Sequence, residues 1–363
     1  MKNSTKPIIL TGDTPTGNLH LGHWVGSIEN RVKMQDDYNC FFIIANIQGF
    51  TTRYDRPQEV RENVIEVALD YLASGIDPKR SNIFIQSEIP AIAELTVLLS
   101  MLVPFPRVLR NPTLKDEIRD KGLGENYPFG FAMYPISNAA DILAFRADVV
   151  PVGEDQIPHL ELARELARKF NQLYCSVDSH TPDEEYIKKG GLFPIVEPKI
   201  GRIKRLVGIG HPNEMGQLPK MSKSLNNAIF LKDSADEIHK KVMAMYTDPK
   251  RLRATDPGSI ENNPLWIFHE TFNPDQAWVK AAEEKYQTGN IGDVECKKKL
   301  IEVLVALTEP MRKRRAEYEK DRGAVLTILR DGTAHANEVT EKTLALAKAA
   351  MQQDYFSRKI DLW

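Results

Sequence analysis

Three continuous apolar runs, set apart by stretches of helical spacing, open the chain and constrain its fold more than any other feature. Pro7-Ile8-Ile9-Leu10-Thr11 is the first, Cys40 to Ile47 (with Phe41, Phe42, Ile43 and Ile44) the second, and Asn82-Ile83-Phe84-Ile85-Gln86 the third. None alternates apolar with polar residues, which is the pattern of strands buried on both faces. A helical stretch from about Gly22 to Gln35 separates the first two. Val60, Val64, Val67, Tyr71 and Leu72 then keep helical spacing between Pro57 and a stop at Gly75. Strand–helix–strand units of this length imply right-handed crossovers and a parallel sheet with helices on its faces.

The same signals continue for about half of the chain. Asp148 to Gly153 predicts a fourth strand, between helices around Ile136–Phe145 and from about Pro158 to Tyr174. Asn227 to Leu231 predicts a fifth. Beyond it strand signals stop. Ser234-Ala235-Asp236-Glu237 is a capping box, and Val294 to Leu307 and Val339 to Met351 are amphipathic helices. The reading is α/β up to about residue 231 and all-helical after it.

Composition narrows the class. Of 363 residues, 48 are Lys or Arg and 50 Asp or Glu, a net charge of −2, with 42% hydrophobic residues; this balance excludes a disordered chain. No apolar run reaches the ~20 residues of a membrane helix. The basic start, Met1 to Lys6, leads into too few apolar residues for an export signal. Cys40, Cys175 and Cys296 are odd in number and lack metal-ligand spacing. The expectation is a cytoplasmic protein with no membrane partner, no disulfide scaffold and no metal site of its own.

Two motifs carry chemistry. Thr11-Gly12-Asp13-Thr14-Pro15-Thr16-Gly17-Asn18-Leu19-His20-Leu21-Gly22-His23 joins the first strand to a helix start, where open α/β sheets bind nucleotides. Its glycines let backbone approach a ligand closely, and His20 and His23 are placed to donate hydrogen bonds to charge growing on phosphorus. Lys220-Met221-Ser222-Lys223-Ser224 lies in a Gly- and Pro-rich loop, and its two lysines form a flexible clamp for polyphosphate.

Together these motifs resemble those of the class I aminoacyl-tRNA synthetases. A third segment, Met133-Tyr134-Pro135-Ile136-Ser137-Asn138-Ala139-Ala140-Asp141-Ile142-Leu143 with Val150-Pro151-Val152-Gly153-Glu154-Asp155-Gln156, is similar to the tryptophanyl-tRNA synthetases. The resemblance runs nearly end to end. It implies a Rossmann-like parallel-sheet catalytic domain over residues 1–231, with a dimer-interface insertion at about 90–141 bearing Leu102, Val103 and Phe105. An all-helical anticodon-binding domain over 232–363 would follow. It further implies ATP with Mg²⁺, L-tryptophan and tRNA(Trp) as partners, and a homodimer.

By the same resemblance His20, His23, Lys220 and Lys223 are catalytic. ATP would meet Thr14, Pro15, Thr16, Gly22, His23, Gly153, Glu154, Asp155, Ile203 and the run Lys220, Met221, Ser222, Lys223 and Ser224. Tryptophan would meet Asp141, Gln156, Tyr134, Asn138, Val150 and Val152, with Leu10 nearby. Indole offers a single polar handle, an N–H donor, and Asp141 on a helix beneath an apolar slot would accept it. Three departures stand out. Asn138 replaces an apolar residue common in the family, Gln48 stands where many bacterial relatives have His, and Gly208–Pro219 is longer than the compact form. Tyrosine specificity, a plain nucleotidyltransferase and a non-catalytic tryptophan-binding paralogue are the alternatives. From residue 231 on, Lys+Arg and Asp+Glu are equal at 22 each, so RNA contact there would need local clusters. Lys297-Lys298-Lys299 and Arg312-Lys313-Arg314-Arg315 are the candidates.

Overall fold

The structure, a computed structural model, describes residues 6–356 apart from Lys204, Ala254 and the side chain of Asp155. Among the described residues the sheet has the parallel strands β1 (Ile8–Asp13), β2 (Asn39–Ile44), β3 (Ser81–Ile85), β4 (Val149–Val152) and β5 (Glu197–Ile200), in the order β3-β2-β1-β4-β5. The chain builds outward from β1 in one direction and then returns to its other side. This reversal opens a crevice at the carboxyl ends of β1 and β4.

Helices cover both faces. After β1 come α1 (Leu21–His23), a π-helical turn (Trp24–Ile28) and α2 (Glu29–Met34), stacked end to end. Then follow α3 (Asn46–Phe50), α4 (Pro57–Ser74), α5 (Pro90–Ser100), α6 (Phe105–Leu109), α7 (Pro112–Asp120), α8 (Phe129–Ala144) and α9 (Ile157–Tyr174). The C-terminal part consists of α10 (Ala235–Met243), α11 (Pro264–Phe272), α12 (Gln276–Gln287), α13 (Asp293–Lys320) and α14 (Arg322–Ala350). No helix among the described residues is long and apolar enough to cross a membrane.

The strands are continuous apolar runs because each face feeds a separate core. Cys40, Phe42 and Ile44 of β2 enter one core, with Val64 and Val67 of α4. Phe41 and Ile43 point the other way, toward Leu95 of α5 and Ile142 of α8. The first core continues into Ile238, Trp266, Leu304 and Val325, so apolar packing runs on from the α/β part into the C-terminal helices.

Three expectations need correction. Asn227–Leu231 is not a strand of the sheet. It is buried because it lies against the start of α1, where Leu21 N–H donates to Ile229 O and Leu231 N–H to Leu19 O, each at 3.0 Å. The fifth strand is Glu197–Ile200, whose sequence Glu-Pro-Lys-Ile carries no apolar run because it is a largely exposed edge. Helix α8 begins at Phe129 and runs through Pro135, which removes one backbone hydrogen bond without ending the helix.

The opposite edge, β3, is covered by α14. A Cβ at Gly332 would stand 2.1 Å from Ile83 O, Ile85 N–H donates to Thr333 Oγ1 at 3.3 Å, and Asn337 Nδ2 donates to Glu88 O at 2.8 Å. A helix with a hydroxyl at the right height thus blunts the unpaired edge. Gly332→Ala should force α14 off β3 and cost about 1–3 kcal/mol. The check is the urea unfolding midpoint, with Gly130→Ala, where a Cβ meets open space, as the control that holds its stability.

Candidate active site

The first motif is held from both ends. Asp13 closes β1 and pairs with Arg31 of α2 at 2.7 Å, while Tyr71 of α4 donates to the same oxygen at 2.8 Å. Burial opposes ionisation of Asp13, but Arg31, His23 and Tyr71 hold its carboxyl at about 2. Thr16 N–H closes a turn on Thr14 O at 2.8 Å, and Gly17 takes φ +123, open to glycine at little cost.

His20 then caps α1. Its Nδ1 accepts Gly22 N–H, and His23 Nδ1 accepts His20 N–H, both at 3.1 Å. With each Nδ1 accepting, the proton of each neutral ring sits on Nε2. Burial, then the neighbouring histidine and lysines, drive His20 far below the usual range; burial brings His23 to about 4, although Asp13 opposes it. The pair therefore presents neutral N–H donors at neutral pH.

The lysine loop closes over this turn. Lys223 Nζ donates to Gly17 O at 2.6 Å, and Met221, buried, anchors the loop through its N–H to Leu206 O at 3.0 Å. Asn227 staples the loop: its Oδ1 accepts Ser222 N–H at 2.7 Å and its Nδ2 donates to Lys220 O at 3.2 Å. Gly208 makes room, since a Cβ there would meet Asn227 at 2.1 Å. The long stretch before the motif turns back on itself, with Gln217 O accepting Asn213 N–H at 2.8 Å and Met215 exposed. Burial lowers the Lys223 amine to about 8, against the pull of Asp13 and Asp70. Lys220 and Ser224 are exposed and Ser222 partly so.

Beyond α3 an apolar cavity of about 460 Å³ is lined by Ile47, Gln48, Phe50, Met133 and Tyr134 among others, within the usual size of small-molecule sites. Asp141, 3% exposed on α8, is tied to this wall. Gln48 Nε2 donates to one carboxylate oxygen at 2.7 Å, and Gln86 Nε2 reaches both oxygens at 2.8 and 3.0 Å. Gln86 Oε1 also accepts Gln48 N–H at 3.3 Å. Burial pushes the Asp141 carboxyl up to about 8, against the bond from Gln86. Gln48 therefore donates to the carboxylate from the wall of the cavity. Gln86 escaped sequence reasoning because it lies just past a strand, and its partner Asp141 is 55 positions away.

Tyr134 hydrogen-bonds His159 Nε2 at 2.8 Å and donates to Glu117 at 3.2 Å; burial and Glu117 raise its phenol well above the usual range. Asn138 is half-buried on α8, outside the cavity lining, and among the described residues its side chain has no hydrogen-bond partner.

On the other flank, Thr11 Oγ1 and Ser27 Oγ donate to Pro151 O at 2.7 and 3.1 Å. Gly153 and the turn Glu154–Gln156 thus follow β4 beside β1. Leu10 and Val150 are packed into the second core and Val152 partly so, which keeps all three out of the cavity wall. Ile203 packs against the first core. The side chain of Asp155 lies outside the described residues.

Several surface expectations change. Leu102 and Val103 are buried in the chain's own core, whereas Val97, Met101 and Phe105 stay exposed. Lys297 is buried and donates to Met243 O and Met245 O at 2.9 and 2.7 Å. Arg314 Nε donates to Ala73 O at 2.7 Å, Arg312 reaches Asp233 O at 3.4 Å, and Arg315 is buried among carboxylates. Lys297, Arg314 and Arg315 thus bond within the chain, whereas Lys298 and Lys313 of the same two runs stay exposed.

The family profile of the tRNA synthetases class I (W and Y) matches residues 2–309. The chain is 47% identical to a tryptophan–tRNA ligase of Streptococcus pyogenes and 46% identical to one of Streptococcus pneumoniae, in each case over 97% of this chain and 100% of the relative. The tryptophanyl-tRNA synthetase of Campylobacter jejuni, solved with ADP and tryptophan, superposes with a TM-score of 0.77 at 28% identity, covering 95% of this chain and 99% of the other.

The buried carboxyl has a cost that can be measured. In the unfolded chain Asp141 ionises near 4; in the fold it holds its proton to about 8. Native stability should therefore fall as pH rises between these values. Asp141→Asn removes the effect and should be more stable at pH 8 by roughly 1–3 kcal/mol, as urea titrations across pH 5–9 would reveal.

Proposed function

Because the chain belongs to the class I tRNA synthetases of the tryptophan and tyrosine group, we propose that it is a tryptophan–tRNA ligase. It activates L-tryptophan with ATP and passes the aminoacyl group to tRNA(Trp). Near-full-length relatives that are tryptophan–tRNA ligases favour this reading over tyrosine charging. The observation that carries the substrate assignment is Asp141, which lies buried behind the apolar cavity and accepts hydrogen bonds from Gln48 of its wall and from Gln86. A buried acceptor just behind an apolar slot suits indole, with its single N–H.

In the first step a tryptophan carboxylate oxygen bonds to the α-phosphorus of ATP, supplied as its Mg²⁺ complex, and the bond to the bridging oxygen breaks to release pyrophosphate. His20 and His23 offer Nε2–H donors to the phosphate oxygens. Lys220 and Lys223, with Met221, Ser222 and Ser224, hold the leaving pyrophosphate. Thr14, Pro15, Thr16 and Gly22 line the phosphate turn, while Gly153, Glu154, Asp155 and Ile203 take the adenosine and Gln156 the amino acid's charged end. Tyr134 closes the indole slot. No covalent enzyme intermediate is needed; positioning and electrostatics do the chemistry. The acyl carbon then bonds to a hydroxyl of the terminal tRNA ribose and AMP leaves.

The proposal includes a catalytic part to about residue 231, a helical part that meets the anticodon, and work in the cytoplasm. It also includes a homodimer, for which the exposed Val97, Met101 and Phe105 supply an apolar face.

Tryptophan-dependent exchange of pyrophosphate into ATP, with tRNA charging alongside, tests the reaction; exchange with tyrosine alone would overturn it. Asp141→Ala should erase most of the preference for tryptophan over its benzothiophene analogue, in which sulfur replaces N–H. Sites built to bond a substrate donor reject analogues lacking it by roughly 10⁴-fold.

Lys223→Ala should lower kcat on the order of 10²-fold and leave tryptophan binding intact, since its charge meets the pyrophosphate as it departs. Wild-type kcat/KM for ATP should also decline above pH 8, where Lys223 of the free enzyme loses its proton. Lys223→Arg should not show that decline.

A further inference from the structure

The backbone immediately before His20 is bonded to the C-terminal helices through one buried carboxylate. Leu19 N–H donates to Asp70 Oδ2 at 2.7 Å. The other oxygen of Asp70 accepts Arg315 Nη1 of α13 at 2.6 Å. Arg315 also reaches Glu66 at 2.5 Å and Glu319 at 2.8 Å. Asp70 is 1% exposed, and Arg315 is buried with it.

Stability alone is a weak account of this arrangement. A buried ion pair often does no better than packed apolar residues of similar volume, because desolvation offsets the attraction. A carboxylate between a guanidinium and one backbone N–H instead supplies direction, since charge-assisted bonds are short and geometrically selective. The N–H so held belongs to the residue preceding His20.

We propose that Asp70 and Arg315 are positioning residues for adenylate formation. Arg315 orients Asp70, and Asp70 clamps Leu19 N–H, so that helix α13 sets where His20 stands against the phosphates of ATP. The inference rests on the reading of His20 as a phosphate donor, and it gives the arginine cluster of α13 a role inside the catalytic part.

The charges around Asp70 fix the pH behaviour. Glu66 comes from its own helix, Arg315 from α13, and Lys232 and Lys223 from the segment between β5 and α10. Burial raises the Asp70 carboxyl to about 6, although Arg315 and the Leu19 N–H oppose it. Removing Arg315 leaves burial less opposed and raises it further. Protonation weakens both bonds of the clamp.

The test is tryptophan-dependent pyrophosphate exchange by the full chain, read as kcat/KM for ATP against pH, with tryptophan Kd from intrinsic fluorescence. Asp70→Leu should lose roughly 10- to 100-fold in kcat/KM for ATP, as expected for a lost charge-assisted bond, with tryptophan Kd unchanged. Asp70→Asn keeps an acceptor for Leu19 and should recover most of the loss. Arg315→Met should shift the acid limb of the profile to higher pH. The proposal is overturned if the Arg315→Met limb coincides with that of the wild type, or if Asp70→Asn is no better than wild-type-folded Asp70→Leu. Should Asp70→Leu not fold, the Arg315→Met profile decides alone. A wild-type chain that exchanges with no amino acid would sink the functional reading itself, which separates the two failures.

Discussion

The ion pair between Asp13 and Arg31, with the Tyr71 hydroxyl on the same carboxylate, fixes where the site can be. Asp13 is the last residue of β1, Arg31 sits on α2 and Tyr71 on α4. Both helices are therefore registered to the end of the one strand from which the sheet grows in both directions. The turn between Thr14 and His20 has little freedom once its two ends are pinned. Lys223 then completes the enclosure by bonding to Gly17 O. This end of the sheet is therefore a preformed surface, pinned by side-chain bonds at both ends of the turn.

Much of this was legible in the sequence because it is local. The apolar runs at Ile8, Phe41 and Ile83 announce strands, the spacing of Val60 to Leu72 announces a helix, and Ser234 with Glu237 forms the expected reciprocal cap. What was not legible depends on residues far apart in the chain. Asn227–Leu231 reads as a strand because it is apolar, yet its backbone pairs with residues 19–21. Glu197–Ile200 is a strand without the pattern because it is a largely exposed edge. Gln86 and Asn227 carry amides that any loop might contain. Only the fold shows that one holds Asp141 and the other the lysine loop.

The basic clusters make the same point about charge. By sequence alone a run such as Arg312-Lys313-Arg314-Arg315 reads as a solvated helix face, and the family resemblance makes it a candidate for RNA contact. In the fold, Arg314 bonds a carbonyl at the end of α4, Arg315 pairs with the buried Asp70 and the partly exposed Glu66 and Glu319, and Lys313 pairs with Glu309 one turn away. Consecutive residues on a helix point in different directions, so a charge run is divided among several neighbours. The overall charge balance of this segment had already warned against a broad electrostatic footprint.

The electrostatics of the site also follow from burial. Both histidines lose their charge, and the amine of Lys223 is lowered toward neutrality, before any phosphate is present. An empty pocket crowded with full cations would repel itself and destabilise the fold. Neutral imidazoles avoid this while still presenting N–H groups, and on the proposed function a bound polyphosphate would favour the charged form of Lys223. Asp141 is the mirror image: desolvation keeps its carboxyl near neutral, and two amides donate to it. At both ends burial shifts these groups toward their neutral forms. On the proposed function, the ligand would supply the partner that water would otherwise have been, and that difference would be available for recognition.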